Sequence, residues 1–172
     1  LVADGSMLRA YDDSFQKYNI EDGYFQTKKK LTPAQKEDIE KSDVKVYENF
    51  YIEQKLTNGS TVRFFKNRKD VDKVCLMKGR MPEKSGEIAV DRMYAENNSL
   101  EIGDRVKSGK KAFRITGLVA LSDYSALFQN NNDTMFDAVK FGVAIVTDKD
   151  FEALNQVKVQ YNYAWIYDKK PA

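Results

Sequence analysis

The run from Val157 to Tyr167 alternates almost perfectly, with Val157, Val159, Tyr161, Tyr163, Trp165 and Tyr167 on one side and Lys158, Gln160, Asn162 and Ala164 on the other. A period of two sustained this long, in β-branched and aromatic residues, fits only an extended strand whose aromatic side must be covered. The chain is therefore expected to build a sheet with a packed inner face. The alternative use of such a stripe, as a stacking platform for sugars or bases, needs a basic groove in its nucleic-acid form. With 28 Lys and Arg against 26 Asp and Glu, a net charge of +2 offers none.

Other segments fall into place around that strand. Met7, Leu8, Tyr11, Phe15 and Tyr18 recur at helical spacing behind Asp4 to Ser6, predicting an amphipathic N-terminal helix that either leads in as a stalk or packs on the sheet. Gly23 to Thr27 reads as a short strand, and Thr32-Pro33-Ala34-Gln35 as a capping box opening a helix to about Lys41. Val44 to Lys55 and Thr61 to Lys66 read as two strands joined by Asn58-Gly59, with Val44, Val46, Phe50 and Ile52 on one face. After the charged run Lys66 to Asp72 a lobe boundary is expected. A strand Glu87 to Val90, a helix capped by Asp91, and strands Arg105 to Lys107 and Ala112 to Leu121 follow, the last with Phe113, Ile115, Val119 and Leu121 on one face. Gly142 to Val146 reads as a buried strand, and Thr147 to Asp150 as a second capping box opening a helix through Leu154.

Composition excludes several chemistries. The chain has no histidine, which removes the usual activation of serine or cysteine nucleophiles and the commonest metal ligand. Cys75 is the only cysteine, so no intrachain disulfide forms; between Val74 and Leu76 it reads as a small buried apolar residue. Scattered glycines form neither a Walker A loop nor a dinucleotide fingerprint, and the acidic groups Asp12, Asp13, Glu21 and Asp22, or Asp133 and Asp137, lack calcium-loop spacing and suit caps and turns. No catalytic, cofactor or metal residue is expected. The chain opens on Leu1-Val2-Ala3, and no apolar stretch approaches the roughly 20 residues of a spanning helix. It reads as an interior fragment of a membrane protein or as a mature exported protein.

One series of motifs is more specific. Leu76-Met77-Lys78-Gly79-Arg80-Met81-Pro82, then Glu87-Ile88-Ala89-Val90-Asp91, Leu100-Glu101-Ile102-Gly103-Asp104 and Ile115-Thr116-Gly117-Leu118-Val119 follow one another in order. Their order and spacing resemble the extracytoplasmic, MacB-type core domain of FtsX-like ABC transporter permeases. Glu21-Asp22-Gly23-Tyr24-Phe25 and Ser122-Asp123-Tyr124-Ser125 add a likeness to permeases of Gram-positive anaerobes. Within these motifs Arg80 and Asp104 read as turn and ion-pair residues.

The resemblance implies an α+β domain of mixed sheets and short helices in two lobes. Residues 1–20 would form the N-terminal helix or stalk, 21–70 with 141–172 a discontinuous lobe, and 71–140 an inserted, β-rich lobe. It implies no enzyme activity here, since ATP would be hydrolysed by a separate cytoplasmic subunit. The domain would lie outside the cell membrane and couple ATP-driven motion of the membrane helices to substrate export or partner activation. The implied partners are that ATPase, a second permease copy, and an extracellular peptide, lipoprotein or cell-wall hydrolase, with no nucleic acid and no cofactor. A free-standing exported protein that binds glycan or peptide is the alternative, and a glycosidase using carboxylates alone is a third. Residues 122–142 form a long, polar-centred excursion carrying Tyr124, Leu127, Phe128, Met135 and Phe136. Packing as an Ω-loop, partner or membrane-interface contact, and an enzyme lid are its competing explanations, and these residues are the partner-contact candidates.

Overall fold

The computed structural model describes residues 19–124, 140–154 and 158–168. The predicted N-terminal helix and all of the excursion between 125 and 139 lie outside them. The described residues form an α+β structure, a mixed sheet flanked by short helices. No helix among them is long and apolar enough to cross a membrane.

The first strand, β1 (Gly23–Thr27), is followed by α1 (Pro33–Glu40), whose capping box forms as expected: Thr32 Oγ1 accepts from the Gln35 amide and Gln35 Oε1 from the Thr32 amide. The stretch expected as one strand from Val44 to Lys55 is broken into β2 (Val44–Glu48) and β3 (Tyr51–Lys55). Both pair antiparallel with the final strand, β10 (Val159–Tyr167), in one unshifted register, Glu48 opposite Tyr163 and Tyr51 opposite Gln160. Past Asn49-Phe50, β3 lies between β10 and β4 (Thr61–Lys66) and pairs with both; the Asn49 amide still donates to Asn162 O, and Phe50 packs edge-on against Tyr161 and Tyr163. The β3–β4 hairpin turns at Asn58-Gly59, where Gly59 holds φ +87°.

Beyond β4 come β5 (Cys75–Gly79), β6 (Glu87–Asp91), α2 (Arg92–Asn97), β7 (Arg105–Ser108), β8 (Lys111–Ala120), β9 (Phe141–Val146) and α3 (Asp148–Ala153). The sheet runs β1-β10-β3-β4-β9-β6-β8-β5, with β2 on β10 and β7 on β8. Two neighbouring pairs are parallel, β4 with β9 and β6 with β8. Every residue of β9 is buried, as expected of a central strand covered on both faces. Phe64, Phe113, Ile115, Val119, Val143 and Ile145 are fully buried in the core around it.

Three expectations are corrected. The aromatic side of β10 is not a simple inner face: Tyr163 is buried but Tyr167 is exposed, and Asn162 and Ala164 on the opposite side are buried as well. The stripe is taken up by neighbours, Tyr163 stacking on Phe25 and Trp165 meeting Tyr167 edge-on, while the Tyr163 hydroxyl accepts from the Leu31 amide. Cys75 is only half-buried, because β5 is an edge strand whose remaining residues are exposed. The second capping box is half formed. Thr147 Oγ1 accepts from the Asp150 amide, but the buried Asp150 carboxylate turns to Ser85 Oγ at 2.5 Å and the Gly86 amide at 2.7 Å.

Candidate functional site

The motif series forms one interlocked unit. Gly79, at φ +73°, lies so close to the Thr116 carbonyl that a Cβ would overlap it, and Gly117 lies equally close to the carbonyl of Arg80. Arg80 N–H donates to Thr116 O at 2.9 Å, and the Thr116 hydroxyl donates back to Arg80 O at 3.0 Å. The Arg80 guanidinium forks onto Glu87, whose Oε1 also takes the amides of Glu83 and Lys84. Those bonds, the guanidinium's first, hold the Glu87 carboxyl well below the usual carboxylate range. Gly103, at φ +98°, turns the chain so that Asp104 Oδ2 accepts from the Glu101 amide at 2.8 Å. Arg80 and Asp104 are therefore turn and ion-pair residues, and the unit contains no arrangement for chemistry.

A second constellation is chemically richer, and it joins three segments distant in sequence. Asp72, fully buried at φ +46°, accepts the Glu21 amide on Oδ1 at 2.8 Å, and its own amide donates to Asn19 O at 3.0 Å. The buried Arg68 guanidinium lies 4.4 Å over the Phe65 ring and forks onto Asp123, at 2.5 Å and 2.9 Å, while also reaching Asp72 O at 3.3 Å. One carboxylate oxygen from each of Glu21, Asp72 and Asp123 lies within 4.8 Å of the others. Three carboxyl groups thus face a single guanidinium in a largely dry place.

The electrostatics follow from that imbalance. Burial, reinforced by the Asp72 and Asp123 charges, pushes Glu21 up to about 9, and burial with Asp123 pushes Asp72 up to about 6. Arg68 stays charged, because Asp123 more than offsets the cost of its burial. Glu21 Oε2 and Asp72 Oδ2 are buried without a donor among the described residues. A proton held between these two carboxyls satisfies both atoms at once, so Glu21 and Asp72 titrate as a pair. The same three acids could ligate a metal ion by distance, but Asp123 already spends both oxygens on Arg68, and the proton suits the geometry better.

Of the partner-contact candidates, Tyr124 alone is described; Leu127, Phe128, Met135 and Phe136 lie outside the described residues. Tyr124 closes a short 3-10 turn (Ser122–Tyr124) and packs on Phe65 and Phe141. Its hydroxyl accepts from Arg63 Nη1 at 3.0 Å, and burial raises it to about 12. Arg63 in turn lies 4.5 Å over the Tyr51 ring and pairs with Glu53 at 2.9 Å. The excursion thus begins from a residue anchored in the core. Among the acids singled out from sequence, Glu21 enters the Asp72–Asp123 constellation, whereas Asp22 instead accepts the Tyr167 amide at 2.9 Å. Asp12, Asp13, Asp133 and Asp137 lie outside the described residues.

No family model matches the sequence, and no curated protein matches it. Among solved structures the chain is similar to the periplasmic region of MacB from Actinobacillus actinomycetemcomitans. The two are 12% identical, the match covers 86% of this chain and 69% of that one, and the TM-score is 0.44. A superposition that loose leaves the functional reading to the chain's own residues.

Proposed function

We propose that this chain is the extracytoplasmic domain of an FtsX-like, MacB-type ABC transporter permease, which couples ATP-driven motion of membrane helices to export or to activation of an outside partner. The observation that carries this reading is the interlocking of the motif series. Residues quoted for the resemblance from four separate stretches, Gly79-Arg80, Glu87, Gly103-Asp104 and Thr116-Gly117, meet in one unit, so their order reflects a shared packing problem. In this reading residues 1–20 form the stalk, residues 21–70 with 141–172 the lobe that carries both connections, and 71–140 the inserted lobe. The Glu21–Asp72–Arg68–Asp123 constellation lies at the meeting of these parts and of the 122–142 excursion, where motion of the stalk would be handed on. ATP hydrolysis belongs to a separate cytoplasmic subunit, and the permease works as a dimer. A peptide, lipoprotein or cell-wall hydrolase would meet the excursion through Leu127, Phe128, Met135 and Phe136, with Tyr124 anchoring its start in the core.

The test uses the full-length parent protein in its own host, with Cys75→Ser and a reporter cysteine at the exposed Tyr24 (Tyr24→Cys). A membrane-impermeant maleimide is expected to label it in intact cells, and an ABC ATPase is expected to co-purify with it from detergent. Labelling only after lysis would overturn the reading. Recovery as a soluble protein with no ATPase would instead favour the free-standing exported binding protein.

A further inference from the structure

A recess of about 360 Å³ lies between the β3–β4 turn, the segment after α2 and β7. Leu56 and Val106, both buried, and the half-buried Leu100 supply its apolar floor. Thr57, Asn58, Asn98, Arg105 and Lys107 supply its polar rim. The walls are fixed by bonds that leave the interior open. The Thr57 amide donates to Lys107 O at 2.9 Å, Asn58 Nδ2 donates to the Tyr94 hydroxyl at 3.1 Å, and Asn98 Nδ2 donates to Tyr94 O at 3.0 Å. A pocket of this size, largely pre-formed and mixing an apolar floor with a few convergent polar groups, has the anatomy of a small-ligand site.

Its charge is the informative part. Arg105 stands directly opposite Arg114 across the β7–β8 pair, with Glu87 opposite Arg114 on the far side in β6, and Lys107 follows two residues along the same side of β7. Like charges directly opposite each other destabilise a sheet. Among the described residues no side-chain ion pair or hydrogen bond compensates Arg105, Lys107 or Arg114. The acid nearest in sequence, Asp104, is turned to the Glu101 amide. Two rim cations, Arg105 and Lys107, with no ion-pair partner among the described residues, are complementary to an anion with an apolar body.

We propose that this recess binds a small anionic amphiphile, its carboxylate or phosphate head held by Arg105 and Lys107 and its short apolar body lying over Leu56 and Leu100. The guanidinium fork suits either head, and Lys107 adds a point charge. Binding is independent of the transporter reading and is measured on the 172-residue protein alone. Amide chemical shifts are followed during titration with hexanoate, hexyl phosphate and 1-hexanol at constant ionic strength. Saturable shifts at Thr57, Leu100, Val106 and Lys107 are expected for the two anions, with Kd at least fivefold lower than for hexanol; the tighter of the two identifies the head group. Replacing both exposed cations (Arg105→Gln with Lys107→Gln) is expected to weaken anion binding at least tenfold while leaving distant resonances in place. Equal affinity for hexanol and both anions, anion binding unchanged by the double substitution, or saturable shifts that map elsewhere would each overturn the proposal.

Discussion

Replacing Glu21 with glutamine tests the shared proton directly. An acid whose folded pKa lies above its ordinary value binds a proton more tightly folded than unfolded, so stability falls as pH rises between the two values. For Glu21 that window runs from 4.5 to about 9, and for Asp72 from 3.8 to about 6. One fully coupled proton would give a slope of about 1.4 kcal/mol per pH unit. Glu21 is only partly buried, so solvent screening shrinks the shift and closes the window early, leaving about 1.4 kcal/mol, one pH unit's worth, to be lost between pH 6 and 8. The Glu21→Gln amide keeps a donor facing Asp72 Oδ2 and cannot titrate, so its stability should be nearly flat over the same range. Urea unfolding followed by the fluorescence of Trp165, the only tryptophan, measures both curves. The absence of histidine leaves few other groups that change charge there. Wild-type stability that is flat or rises from pH 6 to 8, or a variant as steep as the wild type, would refute the reasoning.

Arg68→Leu leaves Asp123 buried without its partner and should cost about 3 to 5 kcal/mol, read as a lower urea midpoint. Gly117→Ala forces a methyl onto the Arg80 carbonyl and should cost about 1 to 3 kcal/mol, whereas Gly142→Ala is felt instead at the Tyr94 ring, so amide shifts separate the two sites. Tyr124→Ala should cost about 3 to 5 kcal/mol by emptying its place against Phe65 and Phe141. Serine at Leu127, Phe128, Met135 and Phe136 together should change stability by under about 0.5 kcal/mol while disabling export by the parent transporter. A chelator should leave the melting temperature unchanged, and a fall of several degrees would place a cation among Glu21, Asp72 and Asp123.

Features determined within a few residues were legible in the sequence. The Thr32–Gln35 box, the Asn58-Gly59 turn, the Asp91 cap and the Phe113, Ile115 and Val119 core face of β8 all form where local chemistry put them, because each is settled by a backbone group one turn or one strand residue away. The break at Asn49-Phe50 was not, since both halves carry strand residues and the interruption involves partners over 110 residues away, the Asn49 amide on Asn162 O and the Phe50 ring on Tyr161 and Tyr163. The half-formed box at Thr147 failed for a related reason: the side chain that should have closed it found Ser85 and Gly86 from a distant loop. The acid constellation was the least visible part. Glu21 meets Asp72 across 51 residues and Arg68 meets Asp123 across 55, and nothing in either neighbourhood marks the meeting.

The pairing of β1 with β10 places Gly23 opposite Trp165, with the Asp22 amide on Trp165 O and the Tyr167 amide on the Asp22 carboxylate. Mechanically these two strands are a zipper rather than a shear joint when their adjoining ends are drawn apart, because the load falls on one rung at a time. A pull that separates residue 22 from residue 167 should therefore open β1 at low force and spare the buried strands. Moved together, the same two ends load none of those rungs, and the sheet turns with them as a lever with a single handle.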